Sequence, residues 1–478
     1  MKRFALGTLV LVALSVSGAQ VEAQMLLTGT VRTVSAGPGA QTDPHLSGSR
    51  ISHTNRTTIG SEIVVFDLAT NVKRTVPNDD GSVIFQDSIS DISGDGVVFT
   101  RRETSTSTQT IAFVDLSDPT LTATIVAPLP GARRTSARVG GDTVAFQQIT
   151  TASSSISAIC VASLSHPAEP AHCLTDESFS HAAPAVSPDG NVVVFQRCLS
   201  PNTACDIYAA TRNAGVWGTP VAITTGGGND LSPATNGAIV VYSSDATAPG
   251  DFDVYYEPVT GSGTATRVQF GDAPGSDEEN PNISGTLISL ERTLPGATNA
   301  DLYLLDIATS TLFQLPPTPD VDEHLNDVSL NADGAVHLVF AAVDPLNPLD
   351  GDNVYAFSFN LLAPSYRVCP LFDTSRSFKA GRVAPLKIQL CDASGANLSD
   401  TTLVLTAAGL AQLDGSASSL LEPDSPGQAN ADSIFRYDAT LGGYIFNLST
   451  AGLTTGTWEL QFRVSGESAV YGVRFDVK

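Results

Sequence analysis

Basic residues are scarce in this chain: 25 Lys and Arg stand against 49 Asp and Glu, a formal net charge of −24. That balance argues against a nucleic-acid partner or an anionic membrane surface, both of which recruit positive charge. It suits an extracellular protein kept soluble by its charge, or one that meets cations. There is no Cys-x-x-Cys pair, so a zinc–thiolate site is not expected. The Gly-x-Ser-x-Gly elbow, His-Glu-x-x-His, the P-loop and Gly-x-Gly-x-x-Gly are all missing. Serine hydrolysis is thereby disfavoured, and the β-rich tail after residue 364 has no room for an α/β-hydrolase domain. After the N-terminus no apolar run is long enough to span a membrane. The first cysteine is Cys160, so no lipid-anchoring cysteine follows the N-terminal segment.

That N-terminal segment has a recognisable plan. Met1-Lys2-Arg3, the apolar Phe4–Val16 and a small-residue region ending at Ala23 are the three parts of a Sec-type signal peptide, expected over residues 1–23. Val21-Glu22-Ala23 is one cleavage site and Ser17-Gly18-Ala19 another. The mature chain is expected to be exported, either secreted or held in the periplasm or cell envelope, and monomeric.

The stretch from His181 to Tyr208 organises the rest of the chain. Ser187-Pro188-Asp189-Gly190 is turn chemistry: Pro presets φ, Asp bonds its own backbone, and Gly supplies positive φ. Val192-Val193-Val194-Phe195 is the continuously apolar run of a strand buried on both faces. Asp206-Ile207-Tyr208 restarts an extended run. Such a meander cannot bury its own faces and needs neighbours.

Copies of the turn supply them. They begin at Pro44, Ser90, Ala137, Pro184, Pro233, Pro281 and Asn326, spaced 45 to 49 residues apart. A period in the forties with about four strands per unit predicts a β-propeller. The anchors predict seven blades, or six if a degenerate terminal copy is not a full blade. The last repeat lacks a fourth strand, and the spare segment Leu26–Val34 is expected to complete it, leaving no open edge.

The Pro-x-Val-Ser-Pro-Asp-Gly turn, the Val-Val-Val-Phe strand and the Asp-Ile-Tyr strand resemble the TolB-type, WD40-like (PD40) propeller repeat, over about residues 26–362. The resemblance implies a fold rather than a function, because such propellers serve binding proteins, peptidase accessory domains and some lyases. Few residues precede the first anchor, so TolB's own envelope role is not implied. After Pro364 the repeat stops. Strand-like runs at Leu386–Leu390, Leu403–Ala407, Tyr444–Leu448, Trp458–Val464 and Val470–Val477 predict a small sandwich over residues 366–478. Ala380 to Leu390, with Pro385, Lys387 and Ile388, and the terminal Phe475-Asp476-Val477-Lys478 resemble a PxKF-type accessory domain, with Ile388 where that motif has Phe. The overall expectation is an all-β chain: a seven-bladed (alternatively six-bladed) propeller over 24–362, then the sandwich.

Six cysteines allow fifteen pairings. Local geometry favours Cys160 with Cys173 on neighbouring strands, Cys198 with Cys205 across one hairpin loop, and Cys369 with Cys391 in the C-terminal part.

Two groups of residues could carry chemistry. Residues entering the innermost strand of each blade are expected to ring one channel mouth: Asp43, His45, Asp87, Arg134, His181, Asp230, Glu278, Glu279, Glu323 and His324. Converging carboxylates and imidazoles can bind a divalent metal or a cationic ligand; the alternative is that they merely cap strand ends. Asp245, Asp251 and Asp253, and then Asp344, Asp350 and Asp352, lie on Gly-containing loops able to wrap Ca²⁺, although neither matches an EF-hand and Asp is also an ordinary turn former. The expected function is therefore an exported binding or scaffold module that contacts a protein or an extracellular polymer. The alternative is a metal-dependent, polysaccharide lyase-like enzyme with its site in the channel.

Overall fold

The computed structural model describes residues 25–478 apart from 28, 58–59, 80–82, 151–155, 202, 262–263, 271–274, 317, 319–320, 345–350, 362–365, 375, 393–394, 413–420, 422, 425–429, 431–432 and 466–469. The expected signal peptide over 1–23 lies outside the described residues, as do Asp350 and most of the loop at 420–432. The described residues form an all-β structure in which no helix is long and apolar enough to cross a membrane. Two compact units separate, one covering Gln24–Gln269 and Ala273–Ala363, the other including Pro364–Lys478.

The larger unit is a β-propeller, and its described strands form seven sheets. Their innermost strands are Gln41–Ser47, Phe85–Ser93, Arg133–Gly140, Ser180–Val186, Asp230–Thr235, Asp277–Ser284 and Glu323–Leu330. Each sheet runs outward from that strand through antiparallel neighbours, and each inner strand packs against the second strand of the preceding sheet. Thr30–Ser35 pairs antiparallel with Asp352–Asn360 and completes the seventh sheet. Just before it, Met25–Leu26 adds in parallel to Thr311–Gln314 of the sixth. The start of the ring is thus joined to its last two sheets, and the long contacts are made by backbone ladders rather than by side chains alone.

Local sequence explains each sheet. In the fourth, Gly190 (φ 73°) donates to the Ser187 carbonyl at 2.8 Å, and the Ser187 hydroxyl accepts the Val192 N–H at 2.9 Å. The second strands that leave these turns are buried on both faces: Val97, Val98 and Phe99, like Val193, Val194 and Phe195, are fully inaccessible. Burial of each such side chain stabilises the fold by about 1.5–3 kcal/mol. They interdigitate between sheets, as where Phe99 and Val97 pack with Ile63 and Val65 of the sheet before.

Serine within the anchors has its own task. Ser47, Ser93, Ser284 and Ser329 each accept, through Oγ, a backbone N–H of the following sheet: Gly94 at 2.9 Å, Gly141 at 3.3 Å, Leu330 at 3.0 Å and Gly48 at 3.1 Å. The third copy has Gly140 at this place, because a Cβ there would meet the Ser187 carbonyl oxygen at 2.0 Å.

In the smaller unit, Arg367–Pro370, Val383–Cys391, Gly443–Ser449 and Arg436–Asp438 form one sheet, and Leu405–Gln412, Gly456–Val464 and Val470–Val477 another. Alternate residues Leu386, Ile388 and Leu390 of the first share a core with Leu460, Phe462 and Phe475 of the second, the period of two that a sandwich needs. Disulfides join Cys160–Cys173, Cys198–Cys205 and Cys369–Cys391. They are compatible with an extracytoplasmic protein.

Candidate functional site: the central channel

One backbone irregularity governs what faces the channel. Every inner strand carries a β-bulge at the same place, and at each bulge one non-glycine residue has positive φ: Asp43, Ile89, Ser136, Ala183, Ser232, Asn280 and Leu325, all between 47° and 57°. A left-handed L-residue costs on the order of 1–2 kcal/mol, so the surrounding ring imposes the conformation. The bulge inserts one residue and inverts the facing of everything before it relative to everything after it.

The expected ring of channel residues therefore divides. Asp43, which is a bulge residue, and His45, two places beyond it, do line the channel. Asp87, Arg134, His181, Asp230, Glu278 and Glu323 stand two places before their bulges and are buried between sheets, none more than 8% exposed. There they form a polar belt with their cross-strand neighbours. Arg101 makes a bidentate pair with Asp87 (2.9 and 2.6 Å), and Arg134 donates to Gln148 at 2.9 and 2.6 Å. Arg292 pairs with Glu278 at 2.9 Å, and the His181 ring approaches the Ser157 carbonyl at 2.7 Å. Burial draws the His181 imidazole below its ordinary pKa and raises the Asp230 carboxyl above its own. Glu279 is exposed, opposite Glu291. His324 lies 3.4 Å from Asp322 and 3.6 Å from Asp352, away from the channel.

Residues two places beyond each bulge take the channel positions instead: His45, Asp91, Arg138, Ala185, Ala234, Asn282 and Asp327. Asp91, Arg138 and Asp327 escape a reading based on strand entry. Their signal was the second residue of each repeated anchor, which is Asp, Arg or His in four of the seven copies. The channel, about 780 Å³, is accordingly two-sided. Sheets seven, one, two and three contribute charge, whereas four, five and six contribute Ala185, Ala234 and Asn282.

His45 is the centre of the charged side. Its Nδ1 is 3.5 Å from Asp327 Oδ2 and 3.7 Å from Asp91 Oδ1, and its Nε2 is 3.5 Å from Asp43 Oδ1. Arg138 is 3.9 Å from Asp43. Burial and the Arg138 charge push the imidazole pKa down, but the carboxylates of Asp327 and Asp43 override them and raise it to about 10. Burial also raises Asp91, whereas Asp43 is lowered despite burial because His45 and Arg138 favour its anion. The carboxylates have backbone duties as well. Asp91 Oδ2 accepts the Val139 N–H of the next sheet at 2.7 Å, and Asp327 Oδ2 accepts that of Leu46 at 2.8 Å. Each also accepts the N–H of its own successor, Ile92 at 2.9 Å and Val328 at 2.8 Å.

In the first loop, the carboxylates of Asp245 and Asp253 are taken up by donors of the chain itself. Asp245 accepts backbone N–H groups from Asn229 and from Gly250 at 3.1 Å, while Asp253 pairs with Arg267 and accepts from Thr247 at 3.1 Å. Their oxygens point at donors rather than at a shared centre, and Asp251 joins neither set. Of the second loop, Asp352 faces His324. Among the described residues no group of three or more His, Cys, Asp and Glu side chains is arranged to hold a metal ion.

No protein-family model matches the chain, and no curated protein matches its sequence. Solved structures do match its shape. A prolyl endopeptidase superposes with a TM-score of 0.50 at 13% identity, over 76% of this chain and 54% of that one. The β-propeller domain of the Trilobed protease from Pyrococcus furiosus gives 0.49 at 10% identity, over 68% and 99%. TolB from Acinetobacter baumannii gives 0.38 at 16%, over 64% and 79%. This chain spans about half the length of the endopeptidase it matches, and at these identities the likeness is one of fold.

Proposed function

We propose that this chain is an exported binding or scaffold protein: a seven-bladed propeller of TolB-type, PD40-like repeats that contacts a protein or an extracellular polymer without transforming it, followed by a PxKF-like accessory sandwich. The observation that supports this reading is the setting of His45, whose ring nitrogens lie 3.5–3.7 Å from the carboxylates of Asp327, Asp91 and Asp43. These carboxylates favour the imidazolium over the neutral ring, and an imidazolium offers no lone pair to a metal. Its carboxylate neighbours Asp91 and Asp327 are joints between sheets. The most reactive-looking cluster of the channel is thus a self-neutralising structural element, which leaves the rims and loops of the ring as contact surface. With a net charge of −24, steering favours partners that present positive charge.

The test uses the purified full-length chain. Polyuronate and neutral polysaccharide are incubated with it, with and without Mn²⁺ or Ca²⁺, and product is followed by chromatography. No turnover is expected under any condition, together with retention of a purified envelope or extracellular partner on the immobilised chain. Metal-dependent cleavage that disappears in His45→Ala would replace this reading with the channel enzyme.

A further inference from the structure

The buried polar belt is complete in six sheets and broken in the seventh. Two places before each bulge, the cross-strand pairs are Gln41 with Asn55, Asp87 with Arg101, Arg134 with Gln148, His181 with Arg197, Asp230 with Ser244 and Glu278 with Arg292. In the seventh, Glu323 faces Ala342. Two of the three belt carboxylates before it have a polar partner of opposite charge at this position, and the third has a hydroxyl. Glu323 is 2% exposed, and its Oε2 has no hydrogen-bond partner. No Lys or Arg stands between Arg292 and Arg367 to serve it.

Where the missing side chain would lie there is a cavity of about 150 Å³, lined by Glu323 and Ala342 together with Val321, Phe340, Tyr355 and Phe357. An apolar cavity of that size accommodates a benzene-sized ring. Aromatic rings attract a cation placed over a free face, and a buried carboxylate without a charged partner is costly until one arrives.

We propose that this cavity is a binding site for a small organic cation, an ammonium or guanidinium group on an apolar body about the size of one aromatic ring. The cation takes the place held by Arg101 and Arg292 in sheets two and six and pairs with Glu323. The body lies against Phe340, Tyr355 and Phe357. The site is separate from the channel. Its charge state agrees with the geometry: burial raises the Glu323 carboxyl to about 7, Thr318 hydrogen-bonds it in opposition, and the Asp301 charge raises it further. Among the other titratable groups nearby, Tyr355 shares the cavity, while His324 points to Asp322 and Asp352.

Benzylamine is the probe, with benzyl alcohol as its uncharged counterpart, both titrated calorimetrically into the full-length chain at pH 8. Saturable one-site binding of benzylamine is expected, at least tenfold tighter than that of the alcohol and strengthening from pH 6 to pH 8 as the carboxyl ionises. Glu323→Gln should weaken it tenfold or more. Ala342→Arg rebuilds the pair found in sheets two and six and should abolish binding while raising the melting temperature, which preserves the test if Glu323→Gln does not fold. Equal binding of the alcohol, undiminished binding in Ala342→Arg, or no saturable binding of benzylamine would each overturn the proposal.

Discussion

Asp87 and Asp91 are four residues apart on one strand and face opposite sides of it. Asp87 is enclosed between sheets with Arg101, whereas Asp91 looks into the channel at His45. In an unbroken strand, residues four apart share a face. The bulge at Ile89, φ 55°, separates them. The same relationship recurs around the ring and sorts polar residues into a buried belt and a channel lining.

Removing one half of the belt pair should be severe. Asp87→Ala strands the Arg101 guanidinium, whose side chain is only 9% exposed, and should cost about 3–5 kcal/mol. Asp87→Leu with Arg101→Met removes both charges and should recover most of the loss. Urea denaturation of the two single variants and the double variant measures this directly. A double variant as unstable as the singles would show that the pair does more than satisfy itself.

The channel carboxylates should behave as joints. Asp91→Ala and Asp327→Ala each remove the acceptor of two backbone N–H groups and one charged neighbour of His45, and should cost about 2–3 kcal/mol apiece. Ser93→Ala removes one acceptor and should cost about 1 kcal/mol. Because Asp91 and Asp327 share His45, their losses should not add. Additive losses in a double-mutant cycle would mean that the imidazolium does not couple the two.

Stability should decline on both sides of neutrality for identifiable reasons. His45 has a folded pKa of about 10 against an ordinary 6.5. Its contribution is therefore fully present below 6.5 and is lost as pH rises through 10. His53 is fully buried, neither ring nitrogen has a hydrogen-bond partner, and burial lowers it to about 4. Its neutral form favours the fold above 6.5, an advantage lost as pH falls through 4. Urea midpoints from pH 4 to pH 10 should fall at both ends in the wild type. His45→Gln should flatten the alkaline limb and leave the acid limb unchanged.

Repetition made the fold legible. The anchors, the turn at Ser187–Gly190, the buried Val-Val-Val-Phe run and the facing cysteines are local patterns whose chemistry permits few structures. The closing strand was also legible, because a ring that lacks one strand at its end and has one spare at its start has one economical solution. The site was less so. Its facing depends on bulges carried by Ile89, Ala183 and Leu325, residues with no intrinsic preference for positive φ, so composition at those positions gives no warning. Asp91, Arg138 and Asp327 were present in the anchor alignment, but only the bulge shows that their column, rather than the strand entries, faces inward. The Asp245 and Asp253 loop illustrates a different limit, since carboxylates that cap backbone N–H groups and carboxylates that cage a cation have the same sequence signature.

The protonation state of His45 is the quantity on which the functional reading turns. The direct measurement is a histidine-labelled NMR titration of the full-length chain from pH 5 to pH 10, with the His45 signals assigned by their absence in His45→Gln. An imidazolium that persists through neutrality and keeps its proton until well above pH 8 is expected. A His45 that titrates near 6.5, leaving a neutral ring at pH 7.5, would refute the self-neutralised cluster and return the channel to consideration as a metal or catalytic centre.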